Sequence, residues 1–201
     1  MAGCTTSSAG TPTSAPGETT VTSGGSTQPP PSSGGNTVEL PYAGAPEVED
    51  PLDTGRFEQD PCLALTSDQA AELEVGWPGE SREAPLGKAC TWRSENDSRA
   101  LVEVASQSNY PHGLSAVYKR EEDGKWAFFT VLKPVDGYPV VGYGQVDQRD
   151  TGGCRVEVGM SDEIAFDVVL QLSAGNVGKK EPCETAAVVA GMVVETMKAA
   201  Q

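Results

Sequence analysis

The sequence predicts an α+β domain, an antiparallel-dominated sheet of about five to six strands packed with N- and C-terminal helices and stapled by two disulfides. Three observations carry this expectation. Short segments of alternating or β-branched residues follow one another between Cys90 and Ser173. Helix signals stand at either end, a Thr66-Ser-Asp-Gln69 capping box before the strands and a Pro182-led apolar seam after them. Four cysteines, Cys62, Cys90, Cys154 and Cys183, are spread through the same region in an even number.

The chain divides by composition. Residues 5–50 are dominated by Thr, Ser, Gly and Pro, as in Gly24-Gly-Ser-Thr-Gln-Pro-Pro-Pro31, and hold almost nothing apolar. Such a segment cannot bury enough surface to offset its ordering entropy, and a disordered tether is expected. At about 5–6 Å × √n, some 45 residues reach roughly 35–40 Å. The domain is expected over residues 51–201.

Ahead of the tether, residues 1–4 read Met1-Ala2-Gly3-Cys4, the end of a lipobox with Met in the place usually held by Leu. In that motif a signal peptide is cut before the cysteine, and the sulfur receives a diacylglycerol. Lipidation of Cys4 is therefore expected, with the protein anchored to the outer face of the cell membrane.

Charge narrows the partners. The 201 residues carry 14 Lys+Arg against 29 Asp+Glu, a formal net charge of −15. Five of the acids and none of the bases lie in the first 50 residues. The acidic exterior and the lack of a basic stripe argue against nucleic-acid binding. No apolar run approaches the 18 or so residues of a membrane span.

Within the domain, Thr66 caps a short helix through Leu73 and Gln69 reaches back to it. Cys90–Ser94 and Ala100–Ser106 are expected as strands joined by the polar turn Glu95-Asn-Asp-Ser98. Leu114–Arg120 is expected as a helix, and Lys125–Leu132 and Tyr138–Val146 as strands either side of a turn at Pro134-Val-Asp-Gly137. In Cys154-Arg-Val-Glu-Val158, alternation places Cys154, Val156 and Val158 on the core face and Arg155 and Glu157 in water. In Ile164–Ser173 the apolar set Phe166, Val168, Leu170 and Leu172 alternates against Asp167 and Gln171. The last helix presents Cys183, Ala186, Ala190, Val193 and Met197 at helical spacing.

No two domain cysteines are close enough for a structural zinc site. Their even number suits an oxidising compartment. Of three possible connectivities, Cys62–Cys90 and Cys154–Cys183 are favoured, each linking a helix start to a neighbouring strand.

These residues together resemble the lipoprotein family catalogued as domain of unknown function 3558, from high-GC Gram-positive bacteria. The resemblance rests on Asp60-Pro61-Cys62 followed by Leu-x-Leu-Thr, on Cys90-x-Trp92, Gly137-Tyr-Pro-Val140, Cys154 within a strand, and Pro182-Cys183 opening the last helix. It implies an extracytoplasmic location and two disulfides, and it implies no reaction.

Candidate chemistry is sparse. His112, the only histidine, sits between Pro111 and Gly113 and is expected in an exposed turn. There is no Gly-x-Ser-x-Gly elbow, calcium loop or phosphate loop, and no cofactor is expected. The aromatics Trp126, Phe128, Tyr138 and Tyr143 fall on expected strands. They suit the core first, and otherwise a pocket for a small ligand or a surface for an envelope protein. The expectation is a non-catalytic binding domain; the alternative is a small hydrolase whose carboxylates are brought together by the fold.

Overall fold

The computed structural model describes residues 39–97 and 99–201. The lipidation residue Cys4 and nearly all of the expected tether lie outside them. Two short helices, α1 (Gly55–Gln59) and α2 (Ser67–Glu72), flank a 3-10 turn at Pro61–Ala64 and lead into the sheet. The strands are β1 (Glu80–Ala84), β2 (Gly87–Arg93), β3 (Leu101–Ser106), β4 (Phe128–Val131), β5 (Val140–Gly144), β6 (Gly153–Gly159) and β7 (Ala165–Gln171). Helix α3 (Ser115–Glu122) separates β3 from β4, and α4 (Pro182–Lys198) closes the chain. The α+β class, the terminal helices and both disulfides are as expected, and the sheet has seven strands.

All pairings are antiparallel, in the order β1-β2-β3-β7-β6-β5-β4. Two meanders, β1 to β3 and β4 to β7, meet at the β3–β7 seam. Strand β1 was invisible to the sequence reading because its residues Glu80-Ser-Arg-Glu are all exposed at the sheet's edge. Charged side chains on such an edge discourage pairing with other chains.

One face of the sheet buries Trp92, Val102, Val104, Val156, Val158, Phe166 and Val168. Helix α4 lies over β6 and β7. Its buried residues Cys183, Ala186, Val189, Ala190, Val193, Val194 and Met197 form one broad stripe that includes the whole expected seam. Each large side chain removed from water contributes about 1.5–3 kcal/mol. Glu181 caps α4, accepting a hydrogen bond from the Glu184 amide at 2.6 Å. Thr66 and Gln69 form the expected capping box of α2.

The disulfides are Cys62–Cys90, joining the 3-10 turn to β2, and Cys154–Cys183, joining β6 to α4. Each closes a loop of about 30 residues, worth roughly 3.5 kcal/mol in the chain-entropy account. Both pairs fit an oxidising, extracytoplasmic environment. Among the described residues no helix is long and apolar enough to cross a membrane.

The described part of the compact unit begins at Glu39, earlier than the composition boundary near residue 51. The segment 39–50 is anchored where Tyr42 N–H donates to Ser115 Oγ at 2.9 Å, Val48 N–H donates to Asp162 Oδ1 at 2.9 Å, and the Tyr138 hydroxyl donates to the Asp50 carbonyl at 2.8 Å. Val48 itself is buried. Three anchors among Pro, Gly and Ala are too few to register as periodicity, so this strap reads as tether.

Candidate functional site

The second face of the sheet is where the structure departs most from the sequence reading. Arg155, Glu157 and Asp167 alternate with the core residues as expected, yet Glu157 is fully buried and Asp167 nearly so; only Arg155 keeps much of its side chain in solvent. Alternation shows that the two faces of a strand differ, but it does not show that the polar one is wet. Helix α3, the strap and the segment carrying Trp126 form a second layer over part of this face. Its apolar contacts join Leu114, which leads into α3, and Val117 of α3 to Val141, Tyr143 and Ala165 of the sheet.

Strand register assembles the polar groups. The β6–β7 pairing sets Glu157 opposite Asp167 and Arg155 opposite Val169. The β5–β6 pairing sets Tyr143 beside Arg155. The Tyr143 hydroxyl donates to Asp167 Oδ1 at 2.7 Å, and Arg155 Nη1 lies 3.5 Å from Asp167 Oδ2. Glu157 is served less well: Tyr143, Gln107 and Arg155 lie near enough to ease its ionisation, but neither of its buried carboxyl oxygens has a partner in hydrogen-bond geometry.

Electrostatics follow from this arrangement. Burial pushes the Glu157 carboxyl well above the usual glutamate range, and the neighbouring Asp167 charge pushes it further. Burial also raises Asp167, and Arg155 and the Tyr143 hydroxyl offset only part of that rise. Of the pair, Glu157 holds its proton the more strongly and Asp167 is the first to ionise. Burial, with Asp167 adding to it, keeps the Tyr143 hydroxyl protonated and able to donate. Asp167 in turn holds the Arg155 guanidinium firmly charged.

Between this face and α3 runs an open cleft of about 920 Å³, within the size range of small-molecule sites. Glu157, Arg155, Tyr143 and Gln107 reach it from the sheet, and Val117, Lys119 and Arg120 from α3. Trp126 joins the two sides: its indole N–H donates to the Val117 carbonyl at 3.0 Å, and its ring centroid lies 4.7 Å from that of Tyr143. Arg120 stacks over the Trp126 ring at 5.3 Å.

Of the aromatics singled out from sequence, Trp126, Phe128 and Tyr143 line the cleft. Phe128 sits at its far end, under the Arg149 guanidinium at 4.4 Å and so close to Gly144 that a Cβ there would collide with its ring. Tyr138 is not with them. It belongs to the α4-side core, where its ring packs and its hydroxyl is taken by Asp50. His112 is half-buried rather than free in a turn, accepting or donating at 3.2 Å with the Tyr42 hydroxyl and packing on Tyr110 at 4.2 Å. The cysteines occupy both disulfides, and Cys4 is outside the described residues. Among the described residues no group of His, Cys, Asp and Glu is arranged to hold a metal ion.

The sequence reading missed Glu157, Asp167, Arg155 and Gln107. One signal was available: a hairpin turning at Ser161-Asp-Glu163 pairs Glu157 with Asp167, which sets two acids side by side mid-strand. A solvated surface rarely needs that arrangement.

Fold and cleft together define a small, doubly disulfide-stapled α+β domain with a ligand-sized cleft on the polar face of its sheet. The family model for a protein of unknown function, DUF3558, matches residues 1–196, and the chain belongs to that family. Comparisons with curated proteins and with solved structures found no match.

Proposed function

We propose that this chain is a cell-envelope lipoprotein, held to the outer face of the membrane by lipid on Cys4, whose domain binds a small amphipathic molecule in the cleft between α3 and the sheet. One observation carries the binding reading: Glu157, fully buried, lines the cleft with both carboxyl oxygens unpartnered. Leaving such a group unsatisfied costs about 1–3 kcal/mol, and a ligand that hydrogen-bonds it recovers that cost. The aromatic wall of Trp126 and Tyr143 supplies apolar contact beside it. The anchoring part rests on Ala2-Gly3-Cys4 and the Ser/Thr/Gly/Pro segment that follows.

The test is a fragment screen followed by backbone-amide and Trp-indole NMR shifts. Binding fragments should move Trp126 Nε1–H and the amides of Tyr143 and Glu157 together. Shifts confined to the rest of the surface, or none, would refute a ligand site in the cleft.

The hydrolase reading draws on the same carboxyl pair, which the fold does assemble. It is the weaker of the two because Asp167 is engaged by Tyr143 and Arg155, leaving Glu157 alone to meet a substrate. Paired-carboxyl mechanisms require both groups at the scissile bond.

A further inference from the structure

Resting on that reading, we infer that the cleft recognises a protonated amine, whose N–H groups donate to both oxygens of Glu157 while its apolar body lies against Trp126 and Tyr143. Four observations lead there. First, the unmet capacity at the cleft floor belongs to the two oxygens of one carboxyl group, which become two acceptors once its proton leaves. An alcohol brings a single O–H, whereas an ammonium brings three donors from one nitrogen and can satisfy both oxygens.

Second, the other charges around Glu157 are largely committed. On β6, Arg155 is paired with Asp167; on α3, Lys119 is held at 3.0 Å by both Glu122 and Asp123. Glu103 on β3 accepts from Arg82 and from Thr91. Arg120 stays exposed at the rim, over Trp126. Glu157 is thus the acid in the cleft wall with no counter-charge of its own.

Third, an anionic ligand at the cleft floor would meet Glu157 and, behind it, Asp167, with Arg155 beside them already shared and Arg120 out at the rim. Fourth, the chain's net charge of −15 draws organic cations toward the protein and repels anions.

Binding of this kind has a protonic signature. The carboxyl of Glu157 holds a proton in the empty cleft, because burial and Asp167 favour the neutral form. An ammonium favours the ionised form, so its binding releases that proton to solvent. Tyr143, Arg155, Asp167 and Glu103 on the sheet, Lys119 and Arg120 on α3 with Asp123 at its end, Tyr42 on the strap and Tyr110 are the other ionisable groups facing this region. The affinity for an amine should therefore rise with pH, while that for a neutral isostere should not.

The experiment compares 2-phenylethylamine, 2-phenylethanol and 3-phenylpropionate on the intact chain by calorimetry and NMR, at about pH 5.5 and pH 8. The amine should bind roughly tenfold or more tightly than the alcohol at the higher pH, as expected for charge-assisted hydrogen bonds, and the acid more weakly than either. Glu157→Gln should bring the amine down to the level of the alcohol and leave the alcohol unchanged. Thermal melting would verify that this variant is folded. Equal affinities of amine and alcohol in the wild type, with shifts in the cleft, overturn the inference and leave the ligand-site reading standing. An amine preference that survives in Glu157→Gln also overturns it, because it then reflects bulk charge. If none of the three compounds moves a cleft resonance, the ligand-site reading falls together with the inference.

Discussion

Glu157 holds a proton that an exposed glutamate would have lost, and this links the domain's stability to pH. Its folded-state affinity for the proton is raised, by burial first and then by Asp167. Below the ordinary glutamate range both folded and unfolded states are protonated, and the group adds no pH dependence. Above that range the unfolded chain ionises while the folded one keeps its proton, so stability falls as pH rises until the folded carboxyl also titrates. Chemical denaturation between about pH 5 and pH 8 should show this decline. Glu157→Gln should flatten the Glu157 share of it and leave the variant more stable than wild type at pH 8, because an amide carries no cost of staying protonated. A variant less stable than wild type at pH 8 would mean that Tyr143 or Gln107 beside it already satisfies the Glu157 carboxyl. Asp167, by contrast, is held by Tyr143 and Arg155. Removing its charge alone would leave a tyrosine hydroxyl and a guanidinium without their acceptor.

At the scale of elements, legibility followed burial pattern. Strands β6 and β7 could be read because a core face alternates with a polar one, and α4 because its buried residues fall at helical spacing. The turn between β4 and β5 could be read from Asp136-Gly137, both of which adopt positive φ there, as the tight turn requires. Strand β1 could not, since an exposed edge strand leaves no apolar signature. The cleft was half legible: aromatic residues marked Trp126, Phe128 and Tyr143, but the polar face of β6 and β7 was assigned to water because nothing in those strands announces that α3 covers them. The strap was hidden in the same way. Trimming the chain to start at Val38 should leave the melting temperature unchanged. Trimming to start at Pro51 removes Tyr42 and buried Val48 with their bonds to Ser115 and Asp162. That should cost about 2–3 kcal/mol, or roughly 5–10 °C for a domain of this size. Identical melts for the two truncations would show that the strap adds nothing to the fold.

At the scale of the whole molecule, the proposal joins a domain to a membrane through one thiol. Two acyl chains on one cysteine give stable anchoring where a single chain binds only marginally, and the acidic chain, at −15, offers no polybasic patch to substitute for them. Expressed from its full gene in its own cell, Cys4→Ala should therefore move the protein from the membrane fraction to the soluble one with the domain still folded, as followed by fractionation and by mass spectrometry of the N-terminal peptide. An unmodified Cys4 in wild-type protein from that cell would remove the anchor from the proposal without touching the cleft.

The order of the bonded cysteines has a bearing on how such a chain is made. Cys62 pairs with Cys90 and Cys154 with Cys183, so each cysteine's partner is its immediate neighbour among the four along the sequence. A polypeptide threaded amino end first into an oxidising space presents Cys62 and Cys90 before the second pair has emerged. With Cys4 carrying lipid as proposed, the first thiols to meet are then the correct ones, and the second couple arrives when no competing thiol is left. The first bond belongs to the β1–β3 meander and the second to the β4–β7 meander with α4, so each half can be closed covalently before the β3–β7 seam is zipped. Consecutive pairing makes assembly in the order of arrival the route to the native set, with no step of reshuffling required.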